Sequence, residues 1–277
     1  MKTDRFQLDV IPIENILVHE ELDPSNSKEL VNFLKKSQTL SNPIIAASLG
    51  NKKYVQLDGM NRIYSFKTLG IKTITAQVVD YNNQEEIELS SWLHIFKGNL
   101  KKFLAFIKKD PTLVVTQGKM DQVGHRYIKE QDFGRLCSIV TNKKEVFFIS
   151  TGNNFHEKIK RLNYIVSFYK NDLSRGALPY TLNSDTIKKF FKQNPDDNII
   201  VIFPTFTPQQ IIDAAKSGVL LPTGITRHLV KSRVLNINLP LSVFDNKKSL
   251  KQQNEEQDKI LMKKRSRLYE EATVNFE

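Results

Sequence analysis

The sequence predicts an α/β (α+β) protein, and two of its features lead to this prediction. Short apolar runs of strand length, such as Tyr54–Leu57 and Asn198–Phe203, recur along the chain, and segments of helical period lie between them. Turn residues separate these segments, as Asn42-Pro43 does before one apolar run. At 277 residues the chain is long enough for one large domain or two modest ones.

Strands and helices alternate in the first eighty residues. The apolar run Phe6–Ile13 predicts a strand, and the polar stretch His19–Pro24 predicts a loop after it. An amphipathic helix follows, with apolar residues on one side and lysines on the other. The pattern then predicts a strand, a turn, a strand, a helix closed by glycine and a strand: Pro43–Ala47, Gly50–Lys53, Tyr54–Leu57, Ile63–Gly70 and Ile74–Val79.

The rest of the chain predicts a mixture of helices and strands. The predicted helices are Lys97–Lys109, His156–Tyr169, Ser184–Phe191 and Gln209–Lys216. The predicted strands are the hairpin Leu136–Val140 and Val146–Ile149, then Asn198–Phe203 and Val234–Leu239. We therefore expect a first domain over residues 1–90, a mixed α/β portion over residues 91–245, and a charged C-terminal helix or tail over residues 246–277.

Composition excludes several kinds of protein and site. No apolar stretch approaches the roughly 20 residues of a membrane span, and the N-terminus shows no signal peptide. The single cysteine, Cys137, excludes an intramolecular disulfide and a cysteine zinc site. We therefore expect a cytoplasmic protein with no membrane partner.

The net charge of +11 is distributed unevenly along the chain. Residues 91–246 carry 23 Lys and Arg against 12 Asp and Glu, whereas the first ninety residues are slightly acidic. Such an excess fits nucleic acid, a phosphorylated ligand or simply a solvated basic surface. Charge alone leaves all three open.

The most informative stretch is the box Asp58-Gly59-Met60-Asn61-Arg62. A strand delivers the Asp58 carboxylate, Gly59 turns the chain, and a helix N-terminus directs its free N–H groups toward the same place, with Arg62 beside them. Such an arrangement binds phosphate and places an acid next to it. The structural alternative is that Asp58 only caps the helix.

Residues 6–80 resemble the N-terminal domain of the ParB/sulfiredoxin superfamily. The resemblance rests on Val10-Ile11-Pro12, Asn42-Pro43-Ile44-Ile45, the Asp58–Arg62 box and Thr68-Leu69-Gly70 before a strand. It implies a nucleotide-binding domain of that fold, extended here by the second mixed α/β portion. The box lacks the reactive cysteine of sulfiredoxin, so cysteine-sulfinic repair is not expected, and it has one arginine where ParB proteins usually carry two.

Three later motifs narrow the resemblance: Ser91–His94, Leu221–Arg227 and Arg233–Leu241. Together with His19-Glu20, they resemble the branch that contains free L-serine kinases, including the SbnI-type enzyme of staphyloferrin B biosynthesis. This resemblance extends to about residue 245. It implies an Mg²⁺-dependent transfer of a phosphoryl group from ATP or ADP to the hydroxyl of L-serine. The product would be O-phospho-L-serine, for 2,3-diaminopropionate or siderophore-type biosynthesis.

Phosphoryl transfer assigns roles to the candidate residues. The reaction needs neutralised phosphates, a positioned hydroxyl and an acid that takes its proton. Glu20 is the predicted base, and Asp58 is predicted to orient the hydroxyl or to hold Mg²⁺ through water. The predicted phosphate-binding residues are Gly59, Met60, Asn61 and Arg62, and the predicted serine-binding residues are Trp92, His94, Thr226 and Arg227.

These residues also have ordinary structural interpretations. Glu20 is one of several acids on a loop, Trp92 suits a core, and Arg227 suits an exposed strand. Asn61 stands where related kinases often show histidine; it can donate to a phosphate oxygen but carries no charge.

The main alternative function is a DNA-binding transcriptional regulator with a ParB-like nucleotide-switch domain. Its support is the basic charge and the lysine-bearing helix Lys97–Lys109. An inactive scaffold is a third interpretation. The sequence leaves open whether weak or regulatory DNA binding accompanies catalysis and whether the protein forms a homo-oligomer.

Overall fold

The structure is a computed structural model that describes residues 1–22, 24–123, 134–152, 154–177 and 182–267. Its helices and mixed sheets confirm the predicted α/β class. None of its described helices is long and apolar enough to cross a membrane.

The chain divides into two compact units, and both are discontinuous in sequence. Unit 1 comprises Met1–Val18, Leu22–Ile87 and the chain from Val230 onward, whereas unit 2 comprises His19–Glu21 and Glu88–Leu229. The predicted boundaries at residues 90 and 245 stay a prediction. The compact units are divided differently from the predicted domains, because the segment after Leu229 belongs to the same unit as the N-terminal residues.

The described elements are as follows. The strands are β1 (Gln7–Pro12), β2 (Ile16–Leu17), β3 (Thr39–Leu40), β4 (Ile44–Ser48), β5 (Tyr54–Asp58), β6 (Thr73–Val79), β7 (Ile87–Phe96), β8 (Val114–Gly118), β9 (Arg135–Thr141), β10 (Val146–Ser150), β11 (Leu173–Ala177), β12 (Ile199–Ile202), β13 (Thr226–Val230) and β14 (Leu239–Pro240). The helices are α1 (Pro24–Ser37), α2 (Met60–Thr68), α3 (Leu100–Ile107), α4 (Phe155–Ser167), α5 (Ser184–Gln193), α6 (Pro208–Ser217) and α7 (Leu250–Met262).

Unit 1 is built on a five-stranded mixed sheet with the strand order β1-β6-β4-β5-β2. β4 lies between β6, which runs parallel to it, and β5, which runs antiparallel. The core combines apolar sheet residues with apolar residues of α1 and α2, and Phe66 of α2 meets Phe244 edge-to-face at 5.2 Å between ring centroids. A short β3–β14 pair ties the C-terminal segment to the end of α1. This sheet fixes the end of β5, where the Asp58–Arg62 box begins.

The helix α7 covers the open edge of β1 through polar side chains. Asn254 accepts from the N–H of Val10 at 2.9 Å and donates to its carbonyl at 3.2 Å, so it replaces a neighbouring strand. The buried Gln257 donates to the Leu8 carbonyl and accepts from the Thr75 hydroxyl. An unpaired strand edge otherwise exposes backbone groups to other chains. The predicted C-terminal helix therefore exists over Leu250–Met262 and packs on unit 1.

Unit 2 is built on a seven-stranded sheet with the order β11-β7-β12-β9-β10-β8, in which β13 also pairs with β7. β12 runs antiparallel to both of its neighbours, and all four of its residues are buried. The predicted hairpin is confirmed as β9 and β10. The predicted helices are confirmed as α3 to α6, and the lysines at 101, 102, 108 and 109 around α3 are exposed.

Two sequence predictions differ from the structure. The predicted strand Val234–Leu239 is wrong, because only Leu239–Pro240 pairs as a strand, while Asn236 and Asn238 take positive φ angles of 55° and 38°. Positive φ takes the backbone out of the extended region. The sequence predicts a mixed acidic segment over Asn82–Leu93, but its second half belongs to the ten-residue strand β7, Ile87–Phe96. Its apolar residues are buried on both faces, which hides the two-residue alternation of an exposed strand.

Candidate functional site

The predicted site residues fall in both units. The box Asp58–Arg62 lies in unit 1, whereas Glu20, Trp92, His94, Thr226 and Arg227 lie in unit 2. The contacts within each group of residues are therefore described separately, first for unit 1 and then for unit 2.

Gly59 makes the turn between β5 and α2, and the position requires glycine. Gly59 is the N-cap of α2 with a φ of 100°, a left-handed conformation that side chains disfavour. A Cβ at this position would lie 2.7 Å from Cγ2 of Ile44. Asp58 is therefore not the N-cap of α2, which begins at Met60 with no side-chain cap. The first N–H groups of α2 have no partner within the helix, which favours an anion at this end.

Asp58 is held between two arginines. Arg62, one helical turn later, places Nη2 3.3 Å from Oδ2 of Asp58, and Nη2 of Arg233 contacts the same oxygen. Burial raises the pKa of Asp58, but the charges of Arg62 and Arg233 outweigh it and hold this pKa below its ordinary value. The carboxylate therefore stays ionised at neutral pH.

Arg62 and Arg233 differ in how they are held. Arg62 also donates from Nη1 to the carbonyls of Asn42 and Pro43, and its side chain is only 17% exposed. Arg233 is 40% exposed. Sequence reasoning included Arg233 in a motif but did not make it a site residue, since its partner lies 175 positions away.

Asn61 is oriented by a neighbouring helix. The hydroxyl of the buried Ser27 in α1 donates to Oδ1 of Asn61 at 2.9 Å. In this contact the amide oxygen of Asn61 is the acceptor. Asn61 thus links α1 to the start of α2.

A parallel bridge joins Glu20 to the Leu221–Arg227 motif in unit 2. The N–H of Leu221 donates to the His19 carbonyl, and the N–H of Glu21 donates to the Leu221 carbonyl, both at 2.8 Å. The Gly224 N–H then donates to Oε2 of Glu20 at 3.2 Å. Glu20 is half-buried at this point, so a loop acid has a defined position.

His94 lies behind Gly224 and is fully buried. The Gly224 carbonyl can only accept, so Nε2 of His94 carries the hydrogen and donates to it at 2.9 Å. Nδ1 then accepts from the Tyr169 hydroxyl at 3.1 Å. Burial lowers the pKa of His94 to about 4; the bond to Gly224 opposes the shift, and the charge of Arg175 adds to it. Both ring nitrogens are occupied by protein, which makes His94 a positioning residue for Gly224.

Gly224 has a left-handed backbone conformation and packs against the side chain of Arg175. Its φ is 71°, and a Cβ would lie 2.1 Å from Nε of Arg175. Arg175 stands opposite His94 in the β11–β7 register. Sequence reasoning did not identify Arg175 or Tyr169, because they lie on separate elements with no local motif.

The remaining predicted residues form two further pairs. Thr226 is buried, and its hydroxyl lies 2.9 Å from Nε2 of His19. The Arg227 guanidinium lies over the Trp92 ring, 4.8 Å from the ring centroid. Stacking of this kind fixes the plane of the guanidinium against the ring. The structure therefore brings Thr226 and Arg227 together with Glu20, Trp92 and His94 within unit 2.

The residues do not fit a metal site formed by the protein alone. Among the described residues, no three His, Cys, Asp or Glu side chains cluster as metal ligands. Oδ2 of Asp58, the predicted water-mediated Mg²⁺ contact, already accepts from two guanidinium groups. Mg²⁺ is commonly bound by one or two carboxylates together with substrate phosphates and water. The water-mediated contact of Asp58 with Mg²⁺ stays a prediction.

Comparison with known proteins gives several relatives, although no protein-family model matches the chain. An ATP-dependent L-serine kinase of Staphylothermus marinus is 25% identical over 233 residues, covering 84% of this chain and 89% of the relative. The ATP-dependent L-serine kinase SbnI of Staphylococcus aureus is 19% identical over 248 residues, covering 86% and 84%. The ADP-dependent L-serine kinase SerK of Thermococcus kodakarensis is 19% identical over 228 residues, covering 79% and 86%.

A solved structure of a free serine kinase in complex with AMP has the same fold. It superposes with a TM-score of 0.68 at 18% identity, covering 88% of this chain and 96% of that chain. These findings support the ParB/sulfiredoxin-like serine kinase family for this chain. The similarity to these kinases runs through both units, since each of the three sequence matches covers more than three quarters of the chain.

The buried His94 predicts a loss of stability in mild acid. Its pKa is about 4 in the folded protein against an ordinary 6.5, so between these values the unfolded chain binds a proton that the folded chain does not. The free energy of unfolding should therefore decrease as the pH falls from 6.5 toward 4, by up to about 1.4 kcal/mol per pH unit from this residue. Urea unfolding of wild type and His94→Gln across this range measures the effect.

The variant should show a shallower pH dependence than wild type, although it is less stable at pH 7. His156→Gln is the matched control, because His156 is exposed on α4 and should leave the slope unchanged. Equal slopes in wild type and His94→Gln would contradict the assignment of a neutral buried imidazole.

Proposed function

We propose that this protein is a free L-serine kinase that transfers a phosphoryl group from ATP or ADP to the serine hydroxyl. The observation that carries the proposal is the Gly59 turn, which sets an ionised Asp58 and two arginines beside the N-terminus of α2. Relatives that match most of the chain and are named L-serine kinases support the same reaction.

Unit 1 takes the nucleotide phosphates in this proposal. The N–H groups of Met60 and Asn61 at the start of α2 donate to phosphate oxygens, and the helix dipole adds to their attraction. Gly59 permits close approach of the backbone, since it has no Cβ. Arg62 contributes positive charge while it fixes Asp58. Asp58, kept ionised, orients the acceptor hydroxyl.

Unit 2 takes the amino acid. Arg227 offers two parallel donors for the serine carboxylate, and Trp92 holds the guanidinium plane from one face. Thr226 contributes a hydroxyl whose direction is set by His19. His94 acts through the Gly224 carbonyl, which keeps the backbone of this motif in place.

Glu20 is the proposed general base. It takes the proton of the serine hydroxyl while Oγ of serine bonds to the terminal phosphorus and the bond from phosphorus to the bridging oxygen breaks. The nucleotide leaves one phosphate shorter. Gly224 donates to Oε2 of Glu20 and so holds the carboxylate in one orientation. Phosphoryl transfer depends mainly on such positioning and on charge stabilisation.

The proposal also concerns which nucleotide donates the phosphoryl group and how the product is used. Named relatives use ATP in two cases and ADP in one, so both donors belong in the test. The use of O-phospho-L-serine for 2,3-diaminopropionate or siderophore-type biosynthesis is the part of the proposal that rests only on the resemblance to the SbnI-type enzyme, which is 19% identical to this chain. Among the described residues, no contact or geometry specifically favours a DNA-binding regulator.

Purified protein should phosphorylate free serine. With Mg²⁺, L-serine and either ATP or ADP, phosphorus NMR should show O-phospho-L-serine together with ADP or AMP in equal amount. Omission of serine is the control for simple nucleotide hydrolysis. Absence of O-phospho-L-serine with both donors would refute the kinase.

Glu20→Gln should separate catalysis from binding. The substitution keeps the size of the side chain and its acceptor for Gly224 but removes its basicity. The rate should fall by about 10²–10⁴, while nucleotide affinity changes little, because general-base catalysis is typically worth that much. Glu21→Gln is the matched control, since the exposed Glu21 contacts Leu221 through its backbone. A Glu20→Gln enzyme within about threefold of wild type would exclude Glu20 as base.

A further inference from the structure

Arg233 lies beside the phosphate box although it follows β13, far along the chain from Asp58. We propose that Arg233, held in position by Gln77, supplies the accessible positive charge of the phosphate-binding site. The inference rests on the proposed function, because it names a further residue of the same nucleotide site.

The guanidinium of Arg62 is largely committed to the protein. Nη1 donates to two backbone carbonyls, those of Asn42 and Pro43, and Nη2 donates to Asp58. These bonds tie the residues before β4 to the start of α2, and they account for the low exposure of this side chain. Arg62 therefore stabilises the box and contributes charge from within it.

Arg233 is placed differently. Its Nη2 contacts Oδ2 of Asp58, so its guanidinium lies at the box, yet its side chain is more than twice as exposed as that of Arg62. A guanidinium has five N–H donors in a fixed plane. One contact to Asp58 fixes its place and leaves donors for phosphate oxygens, which it can bind in pairs.

Gln77 explains how an irregular segment holds Arg233 in place. Gln77 lies on β6 and is buried. Its Nε2 donates to the carbonyl of Ser232, and its Oε1 accepts from the N–H of Val234, both at 2.8 Å. One side-chain amide thus binds the peptide groups on both sides of Arg233. A buried amide satisfied at both ends fixes a single arrangement of the backbone.

The charge of the cluster follows from its members. Asp58 carries one negative charge, and the two arginines carry one positive charge each, so the cluster has a net charge of +1. Without Arg233 the cluster is neutral. A neutral cluster beside the N-terminus of α2 attracts phosphates less, and the loss grows with the negative charge of the ligand.

Calorimetric titration with AMP, ADP and ATP at one fixed Mg²⁺ concentration tests the proposal. Arg233→Gln should weaken binding of ADP and ATP by roughly tenfold or more, as expected for the loss of a charge-assisted contact, and should affect AMP least. Arg233→Lys should recover part of the affinity, because it keeps the charge. Gln77→Met should also weaken the binding of ADP and ATP more than that of AMP, because it removes the two hydrogen bonds to the backbone around Arg233. Methionine has a volume similar to that of glutamine, so the packing of the site changes little.

Arg161→Gln is the matched control, since Arg161 is an ion-paired arginine of unit 2 at Asp110 and its loss changes the net charge equally. It should leave all three affinities unchanged. Arg62→Gln should lower the melting temperature more than Arg233→Gln does, because it leaves two carbonyls without their donor.

Three results would overturn the proposal. The first is that Arg233→Gln binds all three nucleotides as wild type does. The second is that Arg233→Gln loses affinity equally for AMP, ADP and ATP and has a lower melting temperature. The third is that Arg161→Gln loses as much nucleotide affinity as Arg233→Gln. The outcome is separable from that of the proposed function. If nucleotide binding depends on Arg233 but serine is not phosphorylated, this inference stands and the proposed kinase activity is refuted. If serine is phosphorylated but Arg233→Gln binds nucleotide as wild type does, the kinase activity stands and this inference is refuted.

Discussion

The phosphate box depends on one interaction, the contact of the Asp58 carboxylate with the guanidinium groups of Arg62 and Arg233. A carboxylate at this place loses hydration, and burial alone would favour its neutral form. Two cations reverse that preference and keep it ionised. The same contact joins the end of β5 to the first turn of α2 and to the segment after β13. The left-handed Gly59 allows these groups to meet, because any side chain there would strike Ile44.

The box could be predicted from the sequence because its determinants are local. A strand, an acid, a glycine and the start of a helix lie within a few residues, and each has its own signal. Arg233 could not be identified as a site residue in the same way, since the peptide groups on both sides of it are held by Gln77, far away in the sequence. The apolar alternation of that segment predicted a strand, but the contacts of its peptide groups with Gln77 replace a strand partner.

Unit 2 shows the same division between local signals and long-range contacts. The motif Leu221–Arg227 was recognisable as a sequence, and Glu20 was a candidate by its residue type. Their connection is a backbone bridge between Glu20 and Leu221, which no local pattern encodes. The sequence predicts His94 as a serine-binding residue; in the structure His94 is buried and donates to the Gly224 carbonyl. Burial of a polar side chain depends on the packing of several elements, so a single sequence does not reveal it.

The ionisation of Asp58 is the most direct test of this account. A carbon-13 NMR titration of the Asp58 carboxyl group should give a midpoint below its ordinary pKa of 3.8. In Arg233→Gln the midpoint should move upward, because one of the two compensating charges is gone while burial persists. A midpoint at or above 3.8 in the wild-type protein, unchanged in Arg233→Gln, would contradict the claim that two guanidinium groups hold this carboxylate ionised.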